Sequence, residues 1–396
     1  MSKAGVSVRP HLRVLRRLGF CGLLPAQPGA PGRGPLARRL HKIYCWFTLC
    51  GTTLYVIQHL ICIYQERHNA ARVVRVLYPM FSFCTCVSKQ VSFRMGQPRV
   101  DDLIIGLNDE LFNQEGERYA QLLKQTAQRS FYLMRLFYSC GVSTVSLWTL
   151  FPVVQYFQGK EVELPFWTPL DIEKPSMFAI VVAHSSYMVL LLSMGNTTSD
   201  VFIGAMLYQC STQLRILRAS FETLPERAKK LSEELNENYD MILHELLVKC
   251  ILHFQKIADM AEVILQVYGW AVLVLFGVGG WMMCTAAYTF ITVDILSMEF
   301  ASAVFFIICI LIELYIYCYL GNEVTLESDL VVESIYSMHW LGTSHRFQKA
   351  LVLVMERAKR PLRPTAVGLI PLSLDTYVRI LKSSYSILSV LRQTNK

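Results

Sequence analysis

The places where this sequence is equipped for chemistry are the ionisable and thiol side chains set inside apolar runs. Glu313 interrupts an uncharged stretch from Ala301 to Leu320. A carboxylate at membrane depth belongs either to an ion pathway or to a structural polar contact, and both readings stand for Glu313. His184, beside Ser185 and Ser186 in another apolar run, reads first as a satisfied core histidine and second as a ligand contact. Cys84 and Cys86 form a C-x-C pair with no histidine or further cysteine close by, which favours packed thiols over a metal site. There is no H-E-x-x-H, no P-loop, no G-x-S-x-G and no G-x-G-x-x-G after a strand. The expectation is therefore a protein that is not an enzyme and needs no cofactor or metal. Positive charge flanks the apolar runs instead of forming a patch, which argues against a nucleic-acid partner.

The runs themselves decide the class. The chain is 53% apolar and only 17% charged, whereas soluble domains carry about a quarter charged residues. From Ile43 to Tyr64 there is no charge, and such a length of helix spans roughly 33 Å, the thickness of a bilayer core. Before it stand nine lysines and arginines (Lys3, Arg9, Arg13, Arg16, Arg17, Arg33, Arg38, Arg39 and Lys42) and no acid. This places the amino terminus in the cytoplasm. The apolar patch from Leu18 to Ala26 is short and broken by Gly22 and Pro25, which weighs against a cleaved signal peptide. The better reading is an interfacial segment with its basic residues against anionic lipid.

Further spans follow. The second has an uncharged core from Val76 to Ser88, bounded by Arg75 and Lys89, and it is long enough only if those side chains snorkel. The third runs from Leu136 to Phe157, and the fifth from Val263 to Val293 with Gly277, Gly279 and Gly280 as sites of close helix approach. The fourth begins at Ser176 and is crossed by the polar group from Asn196 to Asp200. It reads as one long helix projecting past the bilayer, with two short spans as the alternative. Asn196-Thr197-Thr198 is formally a glycosylation sequon, expected bare at membrane depth. The last candidate, Leu372 to Leu391, carries Leu374, Tyr377, Val378, Leu381, Tyr385 and Leu388 on one helical face. Asp375, Arg379, Lys382, Ser386 and Ser389 gather on the other. Such a helix lies on the membrane surface or spans it with one face to water.

Loop charges set the topology. The loops assigned inside (93–130, 215–262 and 321–371) carry five, seven and six Lys or Arg, while those assigned outside carry few. This supports six spans and leaves the side of the last helix open.

The carboxyl end carries a resemblance. Gly321-Asn322-Glu323, Ser328, Tyr336, Trp340, the run from Glu356 to Leu362, Pro371-Leu372-Ser373-Leu374, Tyr377 and the run from Ile380 to Ser386 closely resemble, in order and spacing, the signature of insect odorant receptors. A glycine-leucine-proline motif within Leu18 to Pro25 agrees. Pro364 and Val367 depart from that family, standing where an apolar residue and a glycine are expected. The loop between the fourth and fifth helices is too short for the insertion of the shared coreceptor, so the chain resembles a ligand-selecting subunit.

The resemblance implies an all-α, seven-transmembrane-helix bundle with a cytoplasmic amino terminus, an extracellular carboxyl terminus, a long fourth helix and a split seventh. The implied divisions are a cytoplasmic segment (1–42), helices one to six with the ligand pocket in their outer half (43–320), a cytoplasmic anchor region (321–371) and a pore-lining helix with an extracellular tail (372–396). It implies a heterotetramer with the coreceptor, forming a nonselective cation channel opened by a small volatile odorant in the plasma membrane of sensory neurons. The pocket would draw on Tyr78, Phe81 and Ser82; Val145, Trp148 and Thr149; Phe178, Val181, Val182 and Ser185; and Ala303 and Phe306. Trp340, Phe347, Leu351 and Met355 would serve the subunit anchor. The resemblance puts the gate at Leu388 and the next pore position at Leu391, whereas helical geometry alone turns the polar face to water. The rival readings are a G-protein-coupled chemoreceptor with its amino terminus outside, a gustatory-type channel subunit, and a secondary transporter, for which no inverted repeat is visible.

Overall fold

The computed structural model describes residues 4–22, 34–114, 116–159, 162, 164–292 and 297–394. The motif beyond Gly22 and the basic residues Lys3, Arg33, Lys160 and Lys396 lie outside the described residues. After a short 3-10 turn the helices in chain order are α1 (Arg9–Arg17), α2 (Pro35–Gln65), α3 (Ala70–Met95), α4 (Gln97–Gly106), α5 (Glu117–Phe157), α6 (Pro175–Glu222), α7 (Leu224–Leu235), α8 (Tyr239–Thr292), α9 (Met298–Ser337) and α10 (His345–Ala358). A two-stranded hairpin, β1 (Thr365–Ala366) and β2 (Ile370–Pro371), leads into α11 (Leu374–Thr394). Among the described residues, α2, α5, α6, α8 and α9 are long and apolar enough to cross a membrane by composition alone. Helix α3 falls short because of its basic residues, and α11 because of its polar face.

Local chemistry sets the boundaries. Proline stands in the first turn of α2, α4, α6 and α7, where its missing N–H costs nothing. The side chain of Asn69 accepts from the Arg72 amide at the start of α3, and that of Ser297 from the Phe300 amide at the start of α9. Helix α7 ends on Asn236 in the left-handed conformation (φ 54°).

The fourth span is one helix of 48 residues, roughly 70 Å long at α-helical rise. Its polar group does not break it, because Asn196, Thr198, Ser199 and Asp200 are partnered. Thr198 and Ser199 donate to the carbonyls of Met194 and Gly195 one turn back. Asn196 and Asp200 accept hydrogen bonds from neighbouring helices. The helix packs against α5, α8 and α9 and forms the centre of the bundle.

Lys89 does not snorkel. It is wholly buried, and its ammonium lies 2.5 Å from carboxylate oxygens of both Asp200 and Glu313 and 2.8 Å from Asn196 Oδ1. Two opposite charges within contact distance compensate its desolvation better than a long reach to the interface. His184, expected in the core, lies exposed on the perimeter of α6; the fully buried histidines are His11, His59 and His253.

The amphipathic start also differs from the expected interfacial segment. Helix α1 packs on α6 and buries His11, Leu12 and Leu15. Phe20, fully buried, lies so close to Gly195 that any Cβ there would collide with its ring. The apolar face is thus occupied by protein, and only the basic side is left for other contacts. Of the three glycines singled out in the fifth span, Gly279 faces Leu314 of α9 and Gly280 faces Ser384 of α11, while Gly277 meets nothing; a fourth glycine of α8, Gly269, lies against Val367.

At the end of the bundle that carries α10, Arg215 bonds Glu323 and Glu327 at 2.6 Å each, and Arg218 bonds Glu327 at 2.6 Å. These contacts clamp α6 to α9. Phe347 and Leu351 of α10 are buried within the chain; Trp340, ahead of the helix, and Met355 within it are half-buried, whereas Val352 and Leu353 are exposed. Helix α11 packs on α8 and α9 and buries Thr376 and Ser384, while Leu372, ahead of it, packs against Gly321 of α9. Its apolar stripe of Leu374, Val378 and Tyr385 is therefore exposed, as are Asp375, Arg379 and Lys382. The side chains of Leu388 and Leu391 lie outside those described.

Candidate ligand-binding site

Two adjoining chambers lie toward the end of the bundle opposite α10. The first is a cavity of about 130 Å³ between α2, α3, α5, α6 and α9, and the second, of about 60 Å³, lies deeper. Phe83, Trp148 and Val189 line both and form the partition. The indole of Trp148 stacks on Phe306 at 5.8 Å and meets Tyr78 edge-on at 5.7 Å. Phe306 and Tyr78 are themselves edge to face at 5.0 Å, so three helices contribute one aromatic wall.

The sequence-derived residues divide by the direction their helices turn them. Tyr78, Trp148, Thr149 and Ser185 line the first chamber; Ser82, Val145, Phe306 and again Trp148 line the second. Phe178, Val181 and Ala303 are buried in helix packing and line neither. Phe178 stacks on Tyr156 at 4.0 Å. Phe81 and Val182 are half-buried and also line neither chamber.

The first helix and an outer connection complete the site, and neither was anticipated. Tyr55 and His59, one turn apart on α2, line the first chamber, and the Tyr55 hydroxyl is 3.3 Å from Ser185 Oγ. Their i, i+4 spacing in an otherwise apolar run was the available signal. Leu164 and Pro165 close the chamber from above, held where the Trp167 amide donates to the Gln58 carbonyl at 3.1 Å. Phe166 packs against the rings of Tyr55 and His59 at 5.4 and 6.1 Å. Arg72 and Arg75 stand at the margin, Arg72 paired with Glu66 at 3.2 Å. Glu313 and Asn196 line the second chamber, which joins it to the buried Lys89 cluster.

The walls are apolar and aromatic with a few polar atoms, a lining suited to enclosing a small molecule. Among the described residues no group of histidine, cysteine and acidic side chains is arranged to hold a metal ion. Helices long and apolar enough to cross a membrane, gathered around an aromatic chamber, are the make-up of a multi-pass membrane protein. Residues 69–385 match the sequence model of the family described as 7tm odorant receptor, and the chain belongs to that family of receptors, which are not enzymes. It is similar to odorant receptor 2a of Drosophila melanogaster, 22% identical over 59% of either chain, so this match spans less than two thirds of that relative's length. Odorant receptor Or1 of Anopheles gambiae is 17% identical over 81% of either chain, and odorant receptor 22c of Drosophila melanogaster 25% identical over 84%. The fold matches the solved insect olfactory receptor OR5 from Machilis hrabei with a TM-score of 0.84, over 98% of this chain and 97% of that one at 17% identity; the same protein has also been solved in complex with eugenol.

Proposed function

We propose that this chain is the odorant-selecting subunit of a ligand-gated nonselective cation channel, assembled as a heterotetramer with a coreceptor in the plasma membrane of sensory neurons. The observation that carries the ligand half of this reading is the aromatic chamber walled by Tyr78, Trp148 and Phe306. An engineered cavity of about 150 Å³ holds benzene, so the first chamber suits a ligand of roughly six to ten heavy atoms. A solved relative in complex with eugenol is consistent with such an occupant. The nine basic residues at the start support a cytoplasmic amino terminus. The chambers then open toward the extracellular side, and α10 lies on the cytoplasmic side as anchor.

In the assembled channel the second half of the seventh span would line the pore, with Leu388 and Leu391 as an apolar constriction that closes by dewetting. The anchor would present the exposed Val352 and Leu353 to neighbours, with Phe347 and Leu351 fixing α10 to its own chain. Coexpression with an insect coreceptor should give odorant-evoked cation currents that persist without nucleotide or G protein. Currents abolished by blocking G-protein cycling would refute the channel reading. An amino-terminal tag stained on unpermeabilised cells would instead favour the G-protein-coupled topology.

A further inference from the structure

Two polar atoms in the chamber walls have no protein partner. His59 is completely buried, and its Nδ1 is 2.8 Å from the carbonyl of Tyr55 on its own helix. A carbonyl oxygen only accepts, so Nδ1 carries the proton and the neutral ring presents Nε2, at its tip, as an acceptor. That Nε2 is buried and unpartnered, and His59 lines the first chamber. On the partition, Trp148 Nε1 is likewise buried without a partner, and an indole N–H can only donate. Two residues of the wall thus carry an acceptor and a donor that no protein group satisfies, in a lining that is otherwise mostly apolar.

We infer that the cognate ligand is a small alcohol or phenol, whose hydroxyl donates to Nε2 of His59 while a ligand oxygen accepts from Nε1 of Trp148. This rests on the receptor reading above and narrows it to a chemical class. A hydroxyl is the one common uncharged oxygen group of odorants that both donates and accepts. An aldehyde, ketone, ester or ether oxygen serves Trp148 and leaves His59 unpaired; a hydrocarbon leaves both unpaired. Each buried polar atom left unpaired on binding lowers affinity by about tenfold. The hydrocarbon part of the ligand has Phe83 and Tyr78 to pack against.

The test uses matched sets on one skeleton in cells coexpressing the full chain and a coreceptor: benzyl alcohol, benzyl methyl ether, benzaldehyde and toluene, then 1-hexanol, its methyl ether and hexane. The alcohol should act at about tenfold lower half-maximal concentration than its ether. His59→Phe should bring the two within about threefold, and His59→Gln, which keeps an acceptor oxygen, should retain the preference. Ether or hydrocarbon as potent as alcohol overturns the hydroxyl assignment and leaves the receptor reading standing. If His59→Phe silences every response, His59→Gln decides: a kept preference supports the assignment, and a surface-expressed variant that responds without preference or not at all overturns it. Silence of the wild type to the whole panel, with both subunits at the surface, counts against the channel reading itself and the inference with it.

Discussion

The ammonium of Lys89 lies 2.5 Å from a carboxylate oxygen of Asp200, with both side chains fully removed from solvent. Glu313 approaches the same ammonium at 2.5 Å, and the Tyr317 hydroxyl donates to Asp200 at 2.7 Å. One cation thus holds two carboxylates from α6 and α9 to α3, directly beneath the second chamber. Removing the cation leaves two buried acids facing each other, a loss on the order of 3–5 kcal/mol. Neutralising Asp200 instead leaves a one-to-one pair of Lys89 and Glu313. Lys89→Met should therefore lower the melting temperature of the detergent-solubilised protein far more than Asp200→Asn. Equal shifts would show that the cluster is not organised around the lysine.

Trp148 separates the two chambers, and Trp148→Ala should join them. Small ligands then lose their aromatic wall, about tenfold or more in half-maximal concentration, and bulkier ligands gain room. Leu388→Ala should do the reverse: basal leak or ion selectivity changes while the rank order of odorants stays. Dose–response series and reversal potentials measure the two effects. Equal shifts in tuning from both substitutions would contradict a division between pocket and pore.

Much of this was legible in the sequence, and the failures share one cause. Uncharged runs of about a bilayer's thickness locate helices, and the direction of each run gives depth, so Tyr78, Trp148, Thr149 and Ser185 were placed at the level of the chamber they line. Depth does not give rotation about the helix axis. Val181 and Ala303 sit at similar depth and face packed neighbours. Lys89 read as a span boundary because its partner Glu313 is 224 residues away, and no local pattern announces it. The contribution of Leu164 and Pro165 carried no signal, since a loop folding back has no periodicity. The departure at Val367 was visible, but not its consequence: the residue takes φ 52°, a left-handed conformation that a β-branched side chain adopts only with strain.

The amino-terminal segment should be acid-sensitive. Burial pushes the His11 imidazole down from 6.5 to about 4. A lowered folded value means that the unfolded segment binds the proton more readily. The stabilisation is therefore fully present above about 6.5 and is lost as pH falls through 6.5 toward 4. Between pH 7 and pH 5 the melting temperature of the wild type should fall further than that of His11→Gln, which has no titrating ring. Identical pH dependence in the two proteins would show that this ring does not contribute.

Glu327 stands between two arginines, with Arg215 on one carboxylate oxygen and Arg218 on the other, whereas Glu323 contacts Arg215 alone. Glu327→Ala leaves two half-buried cations without their shared acid, and Glu323→Ala removes one contact from a guanidinium that keeps another. The first should cost about 2–3 kcal/mol and the second about 1 kcal/mol. Pairing Glu327→Ala with Arg215→Met should recover part of the loss, because a cation is removed along with the acid. The clamp sits roughly 28 Å along α6 from Asn196 at the chamber floor, too far to touch a ligand. The same two helices reach both places, so the clamp acts on how the bundle responds and not on what it recognises. Glu327→Ala should accordingly change maximal odorant-evoked current while leaving the rank order of odorants intact, and an altered rank order would show that the two ends of α6 and α9 are not separable.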